Sequence, residues 1–267
     1  MMRFWLLFLL LASIPVSCVA QMHVLMSAVE AKTGRPIHDL QASEIVITDD
    51  KVTRPVTELT RPKKTVDVML LLDTGLAGAL VQSLAYDLID QLAEPEAMAV
   101  VSFDDTAQLI QDFTSSRPLL KESISKVRYG NRPKVLDALA AAIGDGFDHA
   151  TYRRVVLLLT AGYEGGSLTS ERKVVQLARK LGVSIFPIYM SRERRGLFES
   201  LARQTGGATF NLISMAKDAS QKPAPRIFEA ARNPYLATIG GNANLSERMK
   251  LEARRHEKIF LSALPVE

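Results

Sequence analysis

The sequence predicts a doubly wound, mostly parallel α/β sheet flanked by helices, with a small antiparallel β subdomain built from both chain ends. Three observations carry this. Strand-length apolar runs at 66–72, 98–103, 155–159 and 183–190 are nearly continuous rather than alternating, the pattern of strands covered on both faces. Helical patterns lie between them, which implies crossovers joining parallel strands. The two ends of the chain instead show short alternating runs separated by turn residues, with no helical period.

In chain order, residues 1–20 have a basic start at Arg3, a short apolar run and small residues before Gln21. That is the layout of a secretory signal peptide; the apolar run falls short of the roughly 20 residues a membrane span needs. Cys18 leaves an alternative open, a lipid anchor on that residue. Alternating runs at 22–29, 44–48 and 55–59 follow, with a turn at Lys32-Thr33-Gly34-Arg35. Beyond the first apolar run, helices are expected at 80–92, 119–127, 135–147, 173–181 and 196–204, the last two ended by Gly182 and Gly206. The segment 107–113 reads as an edge strand paired with 98–103, and 208–213 as a last strand. Lys222-Pro223-Ala224-Pro225 reads as an exposed linker. Runs at 235–239, 249–253 and 258–262, with a turn at Gly240-Gly241-Asn242, complete the C-terminal flank. The expected division is a leader at 1–20, a β segment at 21–63, the α/β domain at 64–233 and a second β segment at 234–267, which packs with the first.

Composition excludes much chemistry. The chain of 267 residues is 47% hydrophobic and 23% charged, with one cysteine, Cys18, and one tryptophan, Trp5. Both lie in the expected leader, so a mature chain would have no disulfide scaffold, thiolate zinc site or thiol nucleophile. A formal charge of +4 is too small for a strongly basic nucleic-acid binder. The basic runs Arg192-Glu193-Arg194-Arg195 and Arg254-Arg255-His256 read as solvated faces. His23, His38, His149 and His256 have no metal-pair spacing, and no G-x-S-x-G, P-loop or G-x-G-x-x-G occurs at a strand-to-helix turn. The loop 73–79 lacks lysine and begins with Asp73, which would repel a phosphate. No cofactor and no nucleic-acid partner are expected.

Several pieces in order carry a resemblance. The strand 66–72 ends in Asp73-Thr74-Gly75-Leu76-Ala77; Val100-Val101-Ser102-Phe103-Asp104, Leu136-Asp137-Ala138-Leu139, Thr160-Ala161-Gly162 and Gln204-Thr205-Gly206-Gly207 follow. Together they resemble the von Willebrand factor type A domain over about residues 64–233. Gly34-Arg35-Pro36-Ile37 with Leu40, Glu44 and Asp49-Asp50, and the run 235–239 with 249–253, resemble the flanks of a related family of exported bacterial proteins.

The resemblance implies a divalent-cation site at the C-terminal edge of the sheet, from an Asp-x-Ser-x-Ser motif, a threonine and a second aspartate. Here only Asp73 is retained. Gly75 and Ala77 stand at the serine positions, Pro133 at or near the threonine position and Ala161 at the second aspartate position. A hard cation such as Mg²⁺ wants about six oxygen ligands, so metal binding in the family's manner is not expected. Asp73 is expected to accept backbone N–H bonds from 74–77, Asp104-Asp105 to form a turn, Asp137 to interact with the N-terminus of its own helix and Glu164 to be solvated. The binding rim is expected to comprise Asp73, Thr74, Asp104, Asp105, Tyr129, Asp137, Tyr163 and Glu164, since ligands of doubly wound sheets meet the strands' carboxyl ends. Tyr129 and Tyr163 are candidate anchors for a protein contact. The expected function is an exported, non-catalytic protein-binding or adhesion module without a metal. It would meet a protein or cell-surface ligand, in the periplasm or outside the cell, and touch a membrane only if lipidated at Cys18. Two alternatives stay open: metal-dependent adhesion through rearranged carboxylates, and a hydrolase using Asp73 with Asp104 or Asp137.

Overall fold

The computed structural model describes residues 21–75, 77–192, 196–218, 220–240, 249–255 and 258–266. The expected leader with Cys18 lies outside the described residues, as do Leu76, Gly241, Asn242, His256 and the stretch 193–195. The N-terminal flank supplies β1 (Gln21–Met26), β2 (Ala28–Glu30), β3 (Ile45–Asp49), β4 (Val52–Arg54) and β5 (Val56–Thr60). The α/β unit follows with β6 (Val66–Asp73), α1 (Gln82–Ile89), β7 (Ala97–Phe103), β8 (Ala107–Thr114), α2 (Arg117–Ser125), α3 (Val135–Asp145), β9 (Arg153–Thr160) and α4 (Glu171–Lys180). It ends with β10 (Ser184–Tyr189), α5 (Gly196–Gln204), β11 (Phe210–Asn211), α6 (Leu212–Met215) and α7 (Pro223–Arg232). The C-terminal flank returns with β12 (Tyr235–Gly240), β13 (Lys250–Ala253), β14 (Ile259–Leu261) and β15 (Leu264–Val266).

The central sheet has the order β11-β10-β9-β6-β7-β8. Its pairs are parallel except β7 with β8, which is the antiparallel edge the sequence predicts. Every residue of β6 is buried. Val66, Val68, Leu70 and Leu72 pack with Leu88 of α1, Ile124 of α2 and Phe228 of α7. Met69 and Leu71 face the other way, onto Leu139 of α3, Val174 of α4 and Leu201 of α5. Burying each such side chain contributes about 1.5–3 kcal/mol, so the continuous apolar run occupies the centre of the sheet, with helices on both faces.

Three expectations need correcting. The expected linker at 222–225 opens α7 instead: a proline in the first helical turn sacrifices no hydrogen bond, and Ala224 is buried against the core. The expected strand at 208–213 shrinks to two residues. There the Asn211 side chain accepts from the Ile213 N–H, caps α6 and turns the chain out of the sheet. The helix expected to reach Leu92 ends at Ile89, and the residues ahead of Pro95 are held by Glu96, whose carboxylate accepts from the Ala93 N–H.

The flanks join as the patterning predicts. In one sheet β1 lies between β12 and β15, with Gln21 opposite Gly240 and His23 opposite Val266, and β5 closes the far side of β12. Two strands escaped sequence reading: β4, in a hairpin whose turn has Asp50 and Lys51 at positive φ, and the three-residue β15. The flank has its own apolar centre around Val24, Met26, Ile47, Ala237, Ile239 and Leu251. Val29 of β2 and Phe260 of β14 cross into the α/β core. Arg226 of α7, fully buried, donates to the Thr33 carbonyl at 2.9 Å and the Asp218 carbonyl at 2.9 Å, and pairs with the Asp218 carboxylate at 3.2 Å. One side chain thus fastens the N-terminal turn to the last helix. No described helix is long and apolar enough to cross a membrane.

Candidate functional site

Asp73 is the last residue of the central strand, and only 1% of it is exposed. Its Oδ1 accepts the Gly75 N–H at 2.8 Å; its Oδ2 accepts the Thr160 hydroxyl at 2.7 Å and the Ala161 N–H at 3.1 Å. The bond from Gly75 is the kind the sequence predicts. The two from the end of β9 are not, since they need the parallel neighbour to bring residues 87 and 88 positions away alongside. Thr160 is itself buried and accepts the Gly162 N–H at 3.1 Å.

The positions the resemblance assigns to a cation site do meet. Ala161 touches Asp73 through its N–H, and Pro133 stands over Gly75. A Cβ placed on Gly75 would lie 2.8 Å from Pro133 Cδ and 2.9 Å from Asp73 Oδ1. One on Gly78 would lie 1.9 Å from the Asp73 carbonyl oxygen, so the chain turns here only because neither residue has a side chain. None of Gly75, Ala77, Pro133 and Ala161 carries a side-chain oxygen, and the one carboxylate already has three donors. This donor set does not fit a hard divalent cation. Among the described residues, no group of three or more His, Cys, Asp or Glu side chains is placed to hold a metal.

Backbone bonds stitch the edge loops together: Thr74 N–H to the Phe103 carbonyl, Gly130 to Thr74, Lys134 to Asp104 and Gly165 to Pro133, at 2.6–2.9 Å. The remaining carboxylates organise the same loops. Asp104 accepts from the Thr106 N–H, and the Asn131 amide spans Asp104 and Asp105. Partial burial raises the Asp104 carboxyl, but these donors outweigh it and hold it below the usual range. The expected turn is therefore present, with Asn131 as a partner the sequence did not reveal.

Asp137 and Glu164 depart from expectation. Asp137 lies in the first turn of α3, as its expected interaction with the helix N-terminus requires, but its hydrogen bonds go to another loop: it accepts from the Leu168 N–H at 3.1 Å and the Thr169 N–H at 2.7 Å. These donors outweigh its partial burial and lower its pKa, so the anchor is present above the ordinary carboxylate range and is lost as pH falls through the lowered value. Glu164 is not free in solvent. It accepts from Gly166 and Ser167, and from Leu136 in the first turn of α3. Ser167 Oγ accepts from both Leu136 and Asp137. The physical reason is legible in hindsight: the residue before α3 is Lys134, which has no side-chain acceptor, so the helix takes its cap from a neighbouring loop.

The result is a fixed backbone from 161 to 170 that turns apolar side chains outward. Leu168 is 94% exposed and Tyr163 51%, and Leu80, on the turn after Asp73, is 65% exposed. Tyr163 is the candidate the sequence offers; Leu80, the first apolar residue of the helix expected at 80–92, lies instead on the turn before α1 and points outward, and the signal for Leu168 is a lone large apolar residue among glycine, serine and threonine. Tyr129 behaves differently from Tyr163. Its hydroxyl is buried without a partner, and burial, with Tyr86 and Asp73 nearby, pushes its pKa up to about 12. Thr74, also on the expected rim, is buried.

Gly75→Ser is expected to cost about 1–3 kcal/mol, the penalty for overpacking a filled site. In a Pro133→Thr background the cost should fall by at least about 0.5 kcal/mol, read as coupling in a double-mutant cycle by urea denaturation. Strict additivity would show that the proline ring is not what closes this position.

No protein-family profile matches the chain, and no curated protein matches it in sequence. Solved structures do. Proximal thread matrix protein 1 from the mussel byssus aligns at 20% identity over 75% of this chain, with a TM-score of 0.51. The form of that protein with a zinc-occupied MIDAS motif aligns at 19% identity over 75% of this chain, with a TM-score of 0.53. This chain spans about half of the byssus protein, 51% and 50% in the two structures.

Proposed function

We propose that this chain, whose α/β unit has the von Willebrand A-like fold, is an exported, non-catalytic module that binds another protein through the C-terminal edge of its sheet, without a metal. The observation that carries this reading is Leu168, almost wholly exposed on a backbone held by Asp137, with Ser167 and Glu164 fixing the residues before it. An apolar side chain on a pre-ordered loop loses little further entropy on binding, which favours a contact anchor. Tyr163 and Leu80 lie on loops of the same edge. The carboxylates support the non-catalytic reading over a hydrolase, because each is already occupied by backbone or side-chain donors of the chain itself.

Two measurements on the full chain test this. Melting with millimolar Mg²⁺, with Mn²⁺ or with EDTA should give the same midpoint, whereas an ion at 100 times its Kd would add about 2.7 kcal/mol. Capture of a partner from the native envelope should survive EDTA and Val52→Ser, an exposed apolar site on the flank, and should fall at least tenfold with Leu168→Asp. Capture that needs Mg²⁺, or that is unaffected by Leu168→Asp, overturns the proposal.

A further inference from the structure

We infer that the outer edge of β8 is a separate docking site that takes an extended peptide segment of a partner as an added strand, with apolar residues and flanking lysine or arginine side chains turned toward α3. It does not rest on the rim reading, although the cleft on its α2 face reaches Thr74 and Asp104 of that rim. The strand closes the sheet, and no described strand lies on its outer side. Edge strands are commonly blunted by lysine, proline, a bulge or inward charge; Ala107–Thr114 has neither lysine nor proline, its one charge is Asp112, and its irregular pairing lies beyond Leu109. Pairing with β7 is regular at Ala107, Gln108 and Leu109 and shifts register beyond them. The Asp112 carboxylate accepts the Phe113 N–H at 2.7 Å, so the strand's own side chain occupies that group. The stretch left for a partner is therefore Ala107–Gln111, regular over Ala107–Leu109 and bulged beyond it, enough for a short added strand.

Clefts flank this edge on both faces, and Leu109, 56% exposed, borders each of them. On the α3 face a cleft of about 320 Å³ has an apolar floor of Met69, Val101 and Phe113. Asp112, Asp145, Asp148 and His149 form its rim, all four exposed, so that three carboxylates stand against one imidazole. On the α2 face a larger cleft of about 790 Å³ is lined by polar groups of both signs, among them Gln108, Glu122 and Lys126. Residues of an added strand alternate between faces. Alternate residues therefore enter one apolar, acid-rimmed cleft and one polar cleft, while main-chain bonds to β8 supply affinity without sequence preference. The three carboxylates choose a cationic segment. They also disfavour a second copy of this chain, which would bring its own Asp112, Asp145 and Asp148 to the seam.

The probe is a fluorescein-labelled peptide, Lys-Thr-Val-Thr-Val-Thr-Lys, which places both valines and both lysines on one face of a strand. At low salt it should bind the full chain saturably and at least tenfold tighter than the same peptide with glutamates for lysines. N-methylation of alternate residues on the pairing edge should weaken it at least tenfold, and hydrogen exchange should slow at 107–111. The Asp145→Lys/Asp148→Lys variant, altered only at exposed positions, should reverse the preference between the two peptides. Absence of saturable binding by the lysine peptide overturns the inference, as does equal binding of the two peptides to the unaltered chain. So does indifference to N-methylation, which would mean charge attraction alone. Concentration-dependent dimerisation of the unaltered chain that is abolished by Leu109→Lys would assign the edge to a second copy and likewise overturn it.

Discussion

Asp73→Ala is expected to lower the stability of this chain by about 3–5 kcal/mol, the range reached when a buried hydrogen-bond network is broken. Three donors converge on the carboxylate: the Gly75 N–H, the Thr160 hydroxyl and the Ala161 N–H. Bonds to a charged acceptor contribute about 1.5–3 kcal/mol each when solvent is excluded, and the donors left behind lose a partner without gaining water. Asp73→Asn should lose roughly half as much, since one amide oxygen can still accept but the NH₂ group faces other donors. Urea denaturation would measure both, with the midpoint falling and the slope unchanged. The sign separates two roles. A carboxylate kept for a cation among other acids repels its neighbours when the ion is absent, so its removal leaves the ion-free protein unharmed or firmer. A substantial loss, not restored by Mg²⁺, is what a structural Asp73 requires.

Arg226→Ala should cost about 3 kcal/mol, toward the lower end of the range for breaking a buried ion pair. Asp218 is partly exposed and can regain water, so the loss comes chiefly from the Thr33 and Asp218 carbonyls and from the space the side chain vacates. Arg226→Met keeps much of the apolar volume of the stem and should recover roughly half of this. Hydrogen exchange gives the more specific readout. The turn at 31–35 and the residues Asp218 and Ser220 should open faster while β6 and β9 keep their protection, because the clip joins the flank to α7 and not the strands to each other. Uniform acceleration across the central sheet would mean that Arg226 supports the whole core.

The central sheet was legible because burial on both faces writes itself as uninterrupted apolar runs, and Val66–Asp73 needs no partner to be recognised. The flanks were legible by their alternation, although three-residue strands such as β4 and β15 carry too few residues to show a period. Helix α7 was hidden by its prolines, which signal a break in isolation yet are harmless in a first turn. At the candidate site, sequence reading located the residues whose identity matters locally, Asp73 and the small residues around it. It could not show that Thr160 would complete the bonds to Asp73, or that Ser167 and Glu164 would cap a helix some 30 positions earlier. Those bonds depend on which strands become neighbours, and that information resides in the packing of the sheet rather than in any one segment.

The placement of β1 between β12 and β15 has a mechanical consequence. Residues 23 and 266 face each other across a single strand spacing, about 5 Å, so a tension applied between the two ends would not stretch the molecule along its length. It would peel β15 from β1 in the manner of a zipper, one bond pair at a time, at low force. The six-stranded sheet, its edge loops and the exposed Leu168 lie off that line of load. Early yielding of the flank would spare the surface proposed to meet a partner.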